Sequence, residues 1–460
     1  MAEKYDVVIV GAGVAGLTAS WMLSKQGFRV AIVERKPSSR IGERACGDAI
    51  GLHHFQKLGF QPPQDVFDGV YRGVKIVSPS GKHSIIVPGE GVSIDSLKFG
   101  QWLLRNALDH GARLYDKHLL VGVELDDQGF VRKAYVKDLG SGVKRELEAR
   151  AFIDASGSVP ALRSKLPRDY PVAERPYMTD YNMAYREVIE LDEPVAGEDR
   201  DYAIIYLNKK IAPGGYWWLF PKKNGSIINI GLGVIWGVGD YNPRINYYKY
   251  LRPRHRGRLV HAGGGLVPTR RPLPTLVWRN VAVVGDAAYT VNPVHGGGRG
   301  SSMLAAFIVS RHLGRALEEG LVNEYSLWGV NREYMEAYGA KQASLDVLRM
   351  YLQMMDDSDL EFVIAKRIVD GSSVYDLGTK ADLAEEILSN AKRALKLLTR
   401  PTLLNQLRIV KTYMDKAKEL YLEKYPDSPD QLKEWLREVN ELFDKYVRTI
   451  GFRRGARVKW

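Results

Sequence analysis

Hydrophobic positions along this chain follow two different periods, and the changes of period mark the elements. Residues 5–10, YDVVIV, and 29–34, RVAIVE, are short β-branched apolar runs without alternation, as strands buried on both faces are. Between them GAGVAG leads into LTASWMLSKQG, whose apolar residues recur at helical spacing, so the start of the chain predicts a βαβ unit of ordinary length. Residues 66–95 alternate more loosely around Ser-Pro-Ser-Gly and predict an antiparallel hairpin. Residues 97–110 predict a helix ended by Gly111, and 113–153 predict three or four short strands closing on ARAFIDASG. From 175 to 270 the pattern is mostly β and rich in Tyr and Trp. RNVAVVGDAAYT (279–290) returns to the buried-strand pattern, and NPVHGGGRG then opens a helix in SSMLAAFIVSRHLGRALEEG. Beyond about residue 330 the reading is helical throughout. Its best case is 430–446, where Leu432, Trp435, Leu436, Val439, Leu442, Phe443 and Tyr446 follow the i, i+3, i+4, i+7 rule behind Pro426 and Pro429.

At 460 residues the chain exceeds what one hydrophobic core usually serves. The elements group as α/β plus α+β. A discontinuous Rossmann-type nucleotide-binding domain takes 1–65, 96–170 and 271–330. A β-rich antiparallel-sheet domain for substrate takes 66–95 and 171–270, and a helical C-terminal domain takes 331–460. A single cysteine, Cys46, rules out an internal disulfide and a cysteine-cluster metal site and fits a reducing compartment; no metal is expected. The N-terminus runs almost at once into a strand, leaving no room for a secretion signal, and apolar runs such as Met303–Val309 are too short to span a bilayer. The expectation is a cytoplasmic protein whose membrane contact, where present, is peripheral. The net charge of +12 points to anionic partners, and with no nucleic-acid motif an anionic lipid surface is the more interesting one. The final RTIGFRRGARVKW mixes Arg448, Arg453, Arg454, Arg457 and Lys459 with Phe452 and Trp460, which suits a lipid interface or a frayed tail equally.

The G-x-G-x-x-G of Gly11, Gly13 and Gly16 follows a strand and opens a helix, the context that gives the motif meaning. Gly11 permits the turn, Gly13 lets backbone approach a pyrophosphate, and Gly16 lets helix and strand pack closely. Val14 and Ala15 supply amides at the helix N-terminus. Glu34 ends the second strand where a carboxylate accepts from ribose hydroxyls, with Arg35 beside it. The distant VAVVGDAAYTVNPVHGGGRG decides between dinucleotides. Gly285-Asp286 ends a strand where Asp286 can hold a ribityl hydroxyl. After Pro293, the amides of Gly296, Gly297, Gly298, Arg299 and Gly300 at a helix start can stabilise charge at a flavin N1/O2 edge. A nicotinamide dinucleotide needs no such second loop, so FAD is the expected cofactor. There is no second GxGxxG in strand–turn–helix context, because Gly263–Gly265 is followed by prolines.

This combination resembles the p-hydroxybenzoate hydroxylase-like flavoproteins, and within them the archaeal geranylgeranyl (digeranylgeranylglycerophospholipid) reductases. Four stretches carry the likeness: the N-terminal βαβ; ERACGDAI; YWWLFPKKNGSIINIGLG, which fits Y-x-W-x-F-P followed by G-x-G through Tyr216, Trp218, Phe220, Pro221, Gly231 and Gly233; and GGGLVPTRRPLPTLVWRNVAVVGDAAYTVNPVHGGGRG. The likeness runs from residue 1 to about 330. It implies FAD-dependent saturation of isolated C=C bonds in geranylgeranyl chains of membrane lipid or its precursors, by hydride from reduced flavin N5 plus a proton. It also implies an unidentified reductant for FAD. By position it sets Arg44, Ala45, Cys46 and Gly47 beside the flavin, Val121 at the adenine, and Asp154 and Gly157 near the pyrophosphate. Two departures stand out. Where an Arg is expected just before the 97–110 helix, the sequence is IDSLKFGQW, leaving Gln101 or Arg105 to replace it. The loop also carries Arg299 where an apolar residue is commoner.

Reducing an unpolarised alkene needs a proton source, a dry hydrocarbon tunnel and electron-rich walls. Tyr216, Trp217 and Trp218 can supply aromatic faces, or be ordinary sheet core. Cys46 has three readings: a redox or acid residue beside the flavin, a buried small hydrophobe, or a position where only the backbone matters. Asp48 becomes the acid instead if burial raises its pKa. His295 is a proton-relay candidate or a plain loop histidine. The competing functions are an aromatic-ring flavin monooxygenase and an electron-transfer flavoprotein passing electrons to quinone.

Overall fold

The computed structural model describes residues 3–380 and 391–460, so part of the expected C-terminal helical region, 381–390, lies outside the described residues. Two eight-stranded sheets organise the chain. In the first, the parallel strands Lys144–Asp154, Glu3–Val10, Val30–Val33 and Arg113–Tyr115 lie side by side, with Val8 opposite Phe152 on one side and Ala31 on the other. Val7–Val10 and Val30–Val33 are buried throughout, which is why these strands show no alternation. The helix Val14–Lys25 packs against both Ser96–Asp109 and Arg299–Glu318. The carboxyl ends of these parallel strands bring Gly11, Glu34 and Ala155 to one edge, the usual ligand edge of such a sheet.

The second sheet runs in the order Gly257–Pro268, Tyr181–Leu191, Ile227–Ile235, Trp217–Lys222, Ala203–Tyr206, Phe67–Val77, Ser84–Ile94 and Ala49–Gly51. All pairings are antiparallel except Ala203–Tyr206 with Phe67–Val77. The expected hairpin at 66–95 is present. Ala49–Gly51, expected in the nucleotide-binding part, instead adds an edge strand to the second sheet, with Ala49 opposite Ser93. The stretch around Cys46 is therefore the crossing from one sheet to the other.

The helices Ala340–Met354, Pro401–Leu422 and Leu432–Ile450 share a continuous apolar core with the first sheet. Tyr446 donates from its hydroxyl to the Val347 carbonyl at 2.9 Å. The C-terminal tail is not frayed: its backbone is paired and two apolar side chains are buried, while Arg453, Arg457 and Lys459 remain exposed. Met178 N–H donates to the Ala456 carbonyl at 2.8 Å and Val458 N–H to Pro176 at 2.9 Å, with Phe452 and Val458 buried. Backbone pairing and two apolar anchors outweigh the repulsion among its arginines, two of which lie over the Tyr177 ring. No helix among the described residues is long and apolar enough to cross a membrane.

Candidate active site

One cavity of about 2210 Å³ runs from the glycine-rich loops, past Cys46, to an apolar end under the C-terminal helices. Sites for a single small ligand are roughly 300–1,000 Å³, so this space has room for more than one.

At the end lined by the G-x-G-x-x-G loop, the glycines sit where a side chain would clash or where backbone must stay open. Gly11 has φ +106°, and a Cβ there would stand 2.4 Å from the Ala155 carbonyl oxygen. A Cβ on Gly16 would stand 1.9 Å from the Gly11 oxygen, so helix and turn touch only because Gly16 lacks a side chain. Gly13 has nothing within 4 Å of its Cβ position, which leaves the approach to the backbone open. The helix Val14–Lys25 has no side-chain cap, so its first amides are available to a phosphate. Glu34 accepts from Ala12 N–H at 2.8 Å and Lys36 N–H at 2.9 Å, one per oxygen, and each oxygen keeps a lone pair for a ribose hydroxyl. Asp286 faces the same space, 3.6 Å from the Arg44 guanidinium, and the uncapped start of Arg299–Glu318 adds a second set of amides. These donors and acceptors fit FAD.

The middle of the cavity is built around the crossing strand. Asp48 sits at φ +64° and is buried. Its carboxylate meets Arg299 at 2.8 Å, Lys222 at 3.5 Å and the Ser96 hydroxyl, and Lys222 also reaches Asp68 at 2.8 Å. Burial pushes the Asp48 carboxyl up, but Arg299, Lys222 and Arg186 outweigh it and hold the group below the usual carboxylate range. Asp48 is thus ionised, and its candidacy as the acid falls. Arg299, the unexpected residue of the flavin loop, is the partner that makes a buried Asp48 tolerable. Burial likewise pushes the Cys46 thiol up, and Arg299 and Arg44 outweigh it to hold the thiol below its ordinary value. Asn229 ties the region together: its amide donates to the Cys46 carbonyl at 2.7 Å and to Asp48 at 3.0 Å, and its oxygen accepts from the Trp218 indole at 3.1 Å. Neither Asn229 nor Lys222 was picked out from the sequence. The signal for Asn229 was a lone amide in the apolar run IINIGLG, inside the very motif that flagged its neighbours.

Strand alternation sorts the aromatic cluster. Tyr216, Trp218 and Phe220 line the cavity. Trp217 points to the opposite face and stacks on Tyr206 with ring centroids 3.6 Å apart, so it belongs to a sheet core and not to a tunnel. A Cβ on Gly47 would be 2.8 Å from Phe220, and one on Gly231 would be 2.5 Å from Trp218, so both glycines make room for these rings. Gly233 lines the cavity, whereas Pro221 and Gly231 do not; the Pro221 carbonyl accepts from Tyr71 at 2.8 Å. The Tyr216 hydroxyl donates to the His295 carbonyl at 2.5 Å.

Of the remaining expected cofactor residues, Gly11, Gly13, Val14, Ala15, Glu34, Arg35, Arg44, Ala45, Cys46, Gly47, Gly157, Gly285, Asp286, Pro293 and Gly296 to Gly300 line the cavity. Asp154 does not. It is fully buried and accepts from the Ser156, Leu162 and Arg163 backbone, so it shapes a turn. Gln101 is spent on the Ser38 and Ile41 carbonyls, and Arg105 is exposed and does not line the cavity, so neither replaces the missing arginine. Val121 falls at a bulge between paired residues Leu120 and Gly122; His118, Leu119 and Leu120 reach the cavity in its place.

Fold and site define an FAD-dependent oxidoreductase, and comparisons agree. Residues 6–57 match the family model for FAD dependent oxidoreductases, and residues 180–267 match that of the geranylgeranyl reductase catalytic domain. The chain is 37% identical to a digeranylgeranylglycerophospholipid reductase of Sulfolobus acidocaldarius, over 97% of this chain and 99% of that one. It is 26% identical to digeranylgeranylglycerophospholipid reductase 2 of Methanopyrus kandleri, over 85% and 100%. The chain belongs to the digeranylgeranylglycerophospholipid reductase family. Its fold is similar to that of a geranylgeranyl bacteriochlorophyll reductase-like protein of Thermoplasma acidophilum, with TM-score 0.73, 21% identity, and coverage of 85% and 100%. It also resembles the myxobacterial chondrochloren halogenase, with TM-score 0.63, 16% identity, and coverage of 94% and 99%.

Proposed function

We propose that this enzyme saturates isolated C=C bonds of geranylgeranyl chains carried by a glycerophospholipid or its precursors. The observation that carries the reading is one cavity whose wall takes in both glycine-rich loops, Cys46, the rings of Trp218 and Phe220, and apolar residues of the second sheet and the C-terminal helices. Bound FAD, once reduced, supplies a hydride. The chain's own residues do the rest. Leu348, Leu352 and Ile364 on the helices, with Ile76 and Ile205 on the sheet, exclude water from a prenyl chain. The faces of Trp218 and Phe220 stabilise positive charge on a tertiary carbon by about 1–2 kcal/mol when desolvated. Cys46, with its thiol acidified by Arg299 and Arg44, is the proton donor of this reading.

The same reading assigns FAD to the loops of Gly11–Gly16, Arg44–Gly47 and Gly296–Gly300, and the substrate to Tyr216, Trp218, Phe220 and Gly233. It divides the chain into nucleotide-binding, β-rich and helical parts. It includes a separate reductant and contact of the basic surface with an anionic membrane from the cytoplasmic side. Anaerobic, dithionite-reduced protein is expected to add two mass units per reduced bond to a geranylgeranyl lipid, read by mass spectrometry. Oxygen-dependent hydroxylation without saturation would overturn the proposal.

A further inference from the structure

The strand Tyr181–Leu191 presents Asn182, Ala184 and Arg186 to the cavity at alternate positions. Arg186 lies opposite Gly231 on one side and Gly263 on the other. A Cβ on Gly231 would stand 2.5 Å from the Arg186 Cβ, and one on Gly263 would stand 3.1 Å from the Ala45 Cβ. The sheet is thus bare on both sides of Arg186, and the crossing stretch around Cys46 approaches it there.

Arg186 is buried, and its guanidinium is used in two directions. Nη2 donates to the Arg44 carbonyl at 2.8 Å, and Nη1 donates to His261 Nδ1 at 2.9 Å. The Cys46 carbonyl accepts from Asn229 at 2.7 Å. The backbone before and after the thiol therefore hangs on two side chains of the sheet. An arginine only donates, so His261 Nδ1 accepts and the ring carries its proton on Nε2. His261 is exposed on the strand Gly257–Pro268. The charged side chains among the described residues that act on it are Arg186 from Tyr181–Leu191, and Arg40, Glu43 and Asp48 from the chain around Cys46. Partial burial, with Arg186 and Arg40, outweighs the two carboxylates and holds the imidazole below the usual histidine range. Near pH 7 the ring is neutral and its bond to Arg186 stands. Below its lowered value the second proton occupies Nδ1, two cations face each other, and the bond is lost.

We propose that Arg186 is the positioning residue for Cys46, fixing the backbone of residues 44–46 so that the thiol stands at one place in the cavity, and that His261 makes this hold depend on pH by accepting from Arg186 only in its neutral form. The consequence for turnover rests on the prenyl-lipid reading, in which Cys46 donates the proton. Displacing a reacting group by about an ångström costs up to about a hundredfold in rate, so a loosened segment slows proton transfer without emptying the FAD site.

Cys46 is the only cysteine of the chain, so the rate of alkylation by iodoacetamide reads this thiol alone. FAD-loaded wild type is compared with His261→Asn, whose amide oxygen accepts from Arg186 at every pH, and with Arg186→Lys, whose single ammonium does not replace a guanidinium bridging two acceptors. Across about pH 5–8, the rate in wild type is expected to show the ionisation of the thiol and a second inflection, and in both variants the first alone. A wild type without the second inflection, or an inflection that survives either substitution, would overturn the proposal. His261→Asn, at an exposed position, decides the matter alone where Arg186→Lys does not fold. Turnover supplies the second arm. Arg186→Lys is expected to lower kcat about tenfold with FAD still bound, and to lower it no further when added to Cys46→Ala. Equal losses in the two backgrounds would overturn a role exerted through Cys46. If wild type saturates no prenyl lipid, the proposed function fails, and the alkylation profiles still decide the positioning role.

Discussion

The two ends of the cavity are made by different means. The nucleotide end is backbone: uncapped amides, a carboxylate fixed by two N–H groups, and glycines whose missing side chains leave room. The hydrocarbon end is side chain: aromatic and aliphatic surfaces contributed by a sheet and by helices far apart in sequence. Polar ligands with fixed shapes demand directional groups, which a short contiguous loop provides. A flexible prenyl chain demands only a dry, shaped surface, which no single segment can build. Between the two ends lies a charged neck where Asp48, Arg299 and Lys222 meet.

Substitutions should separate these regions by both the kind and the size of effect. At the backbone end, Gly16→Val drives side-chain carbon into the Gly11 carbonyl, and overpacking of this kind costs about 3 kcal/mol. Purified protein should contain almost no flavin by its visible absorbance, and normal FAD content would break the account of this end. In the neck, Lys222 keeps Asp68 after Asp48→Asn, but the buried Arg299 is left without its carboxylate, a loss of about 3–5 kcal/mol. Thermal melting should show it, and Asp48→Asn/Arg299→Met should recover part of the loss.

Cys46→Ser, with FAD still bound, should slow saturation about a hundredfold as a general acid is lost. Unchanged turnover would reduce the thiol to packing. At the hydrocarbon end, Trp218→Leu keeps an apolar wall but removes the aromatic face; the roughly 1–2 kcal/mol at stake corresponds to about five- to thirty-fold in single-turnover rate. An effect on FAD affinity instead of rate would place Trp218 with the nucleotide end. The smallest effect is a pH dependence. His54 and His295 are depressed in the fold, so the unfolded chain binds more protons below its ordinary histidine value. The stability they contribute is present above pH 6.5 and falls as the pH drops toward 4. His54→Gln/His295→Gln should flatten that slope in denaturant titrations of the FAD-free protein.

Legibility in the sequence followed the same division. Gly11, Gly13, Gly16 and Glu34 were readable because their roles depend on neighbours within one βαβ unit. Tyr216, Trp218 and Phe220 were picked out through the resemblance to the Y-x-W-x-F-P pattern, and Trp217 was grouped with them because the alternation along the strand was not applied. Gln101 and Arg105 were chosen by position in a helix whose rotation the sequence does not report; one faces a neighbouring loop and the other solvent. Asp154 looked like a cofactor residue because it follows a strand, but its backbone partners lie in the next turn.

Cys46 shows the boundary most clearly. The chain alone determined that it holds one thiol, in a stretch following a dinucleotide fold, and that a second glycine-rich loop calls for a flavin. Those conclusions rest on contiguous backbone and its local geometry. Tertiary structure decided what surrounds the thiol. Asn229 lies 181 residues from Asp48, and Arg299 lies 251 residues from it, yet together they orient and charge the neck. Charge interactions fall off over a few ångströms of space and take no account of separation along the chain, so only the folded arrangement assigns these partners.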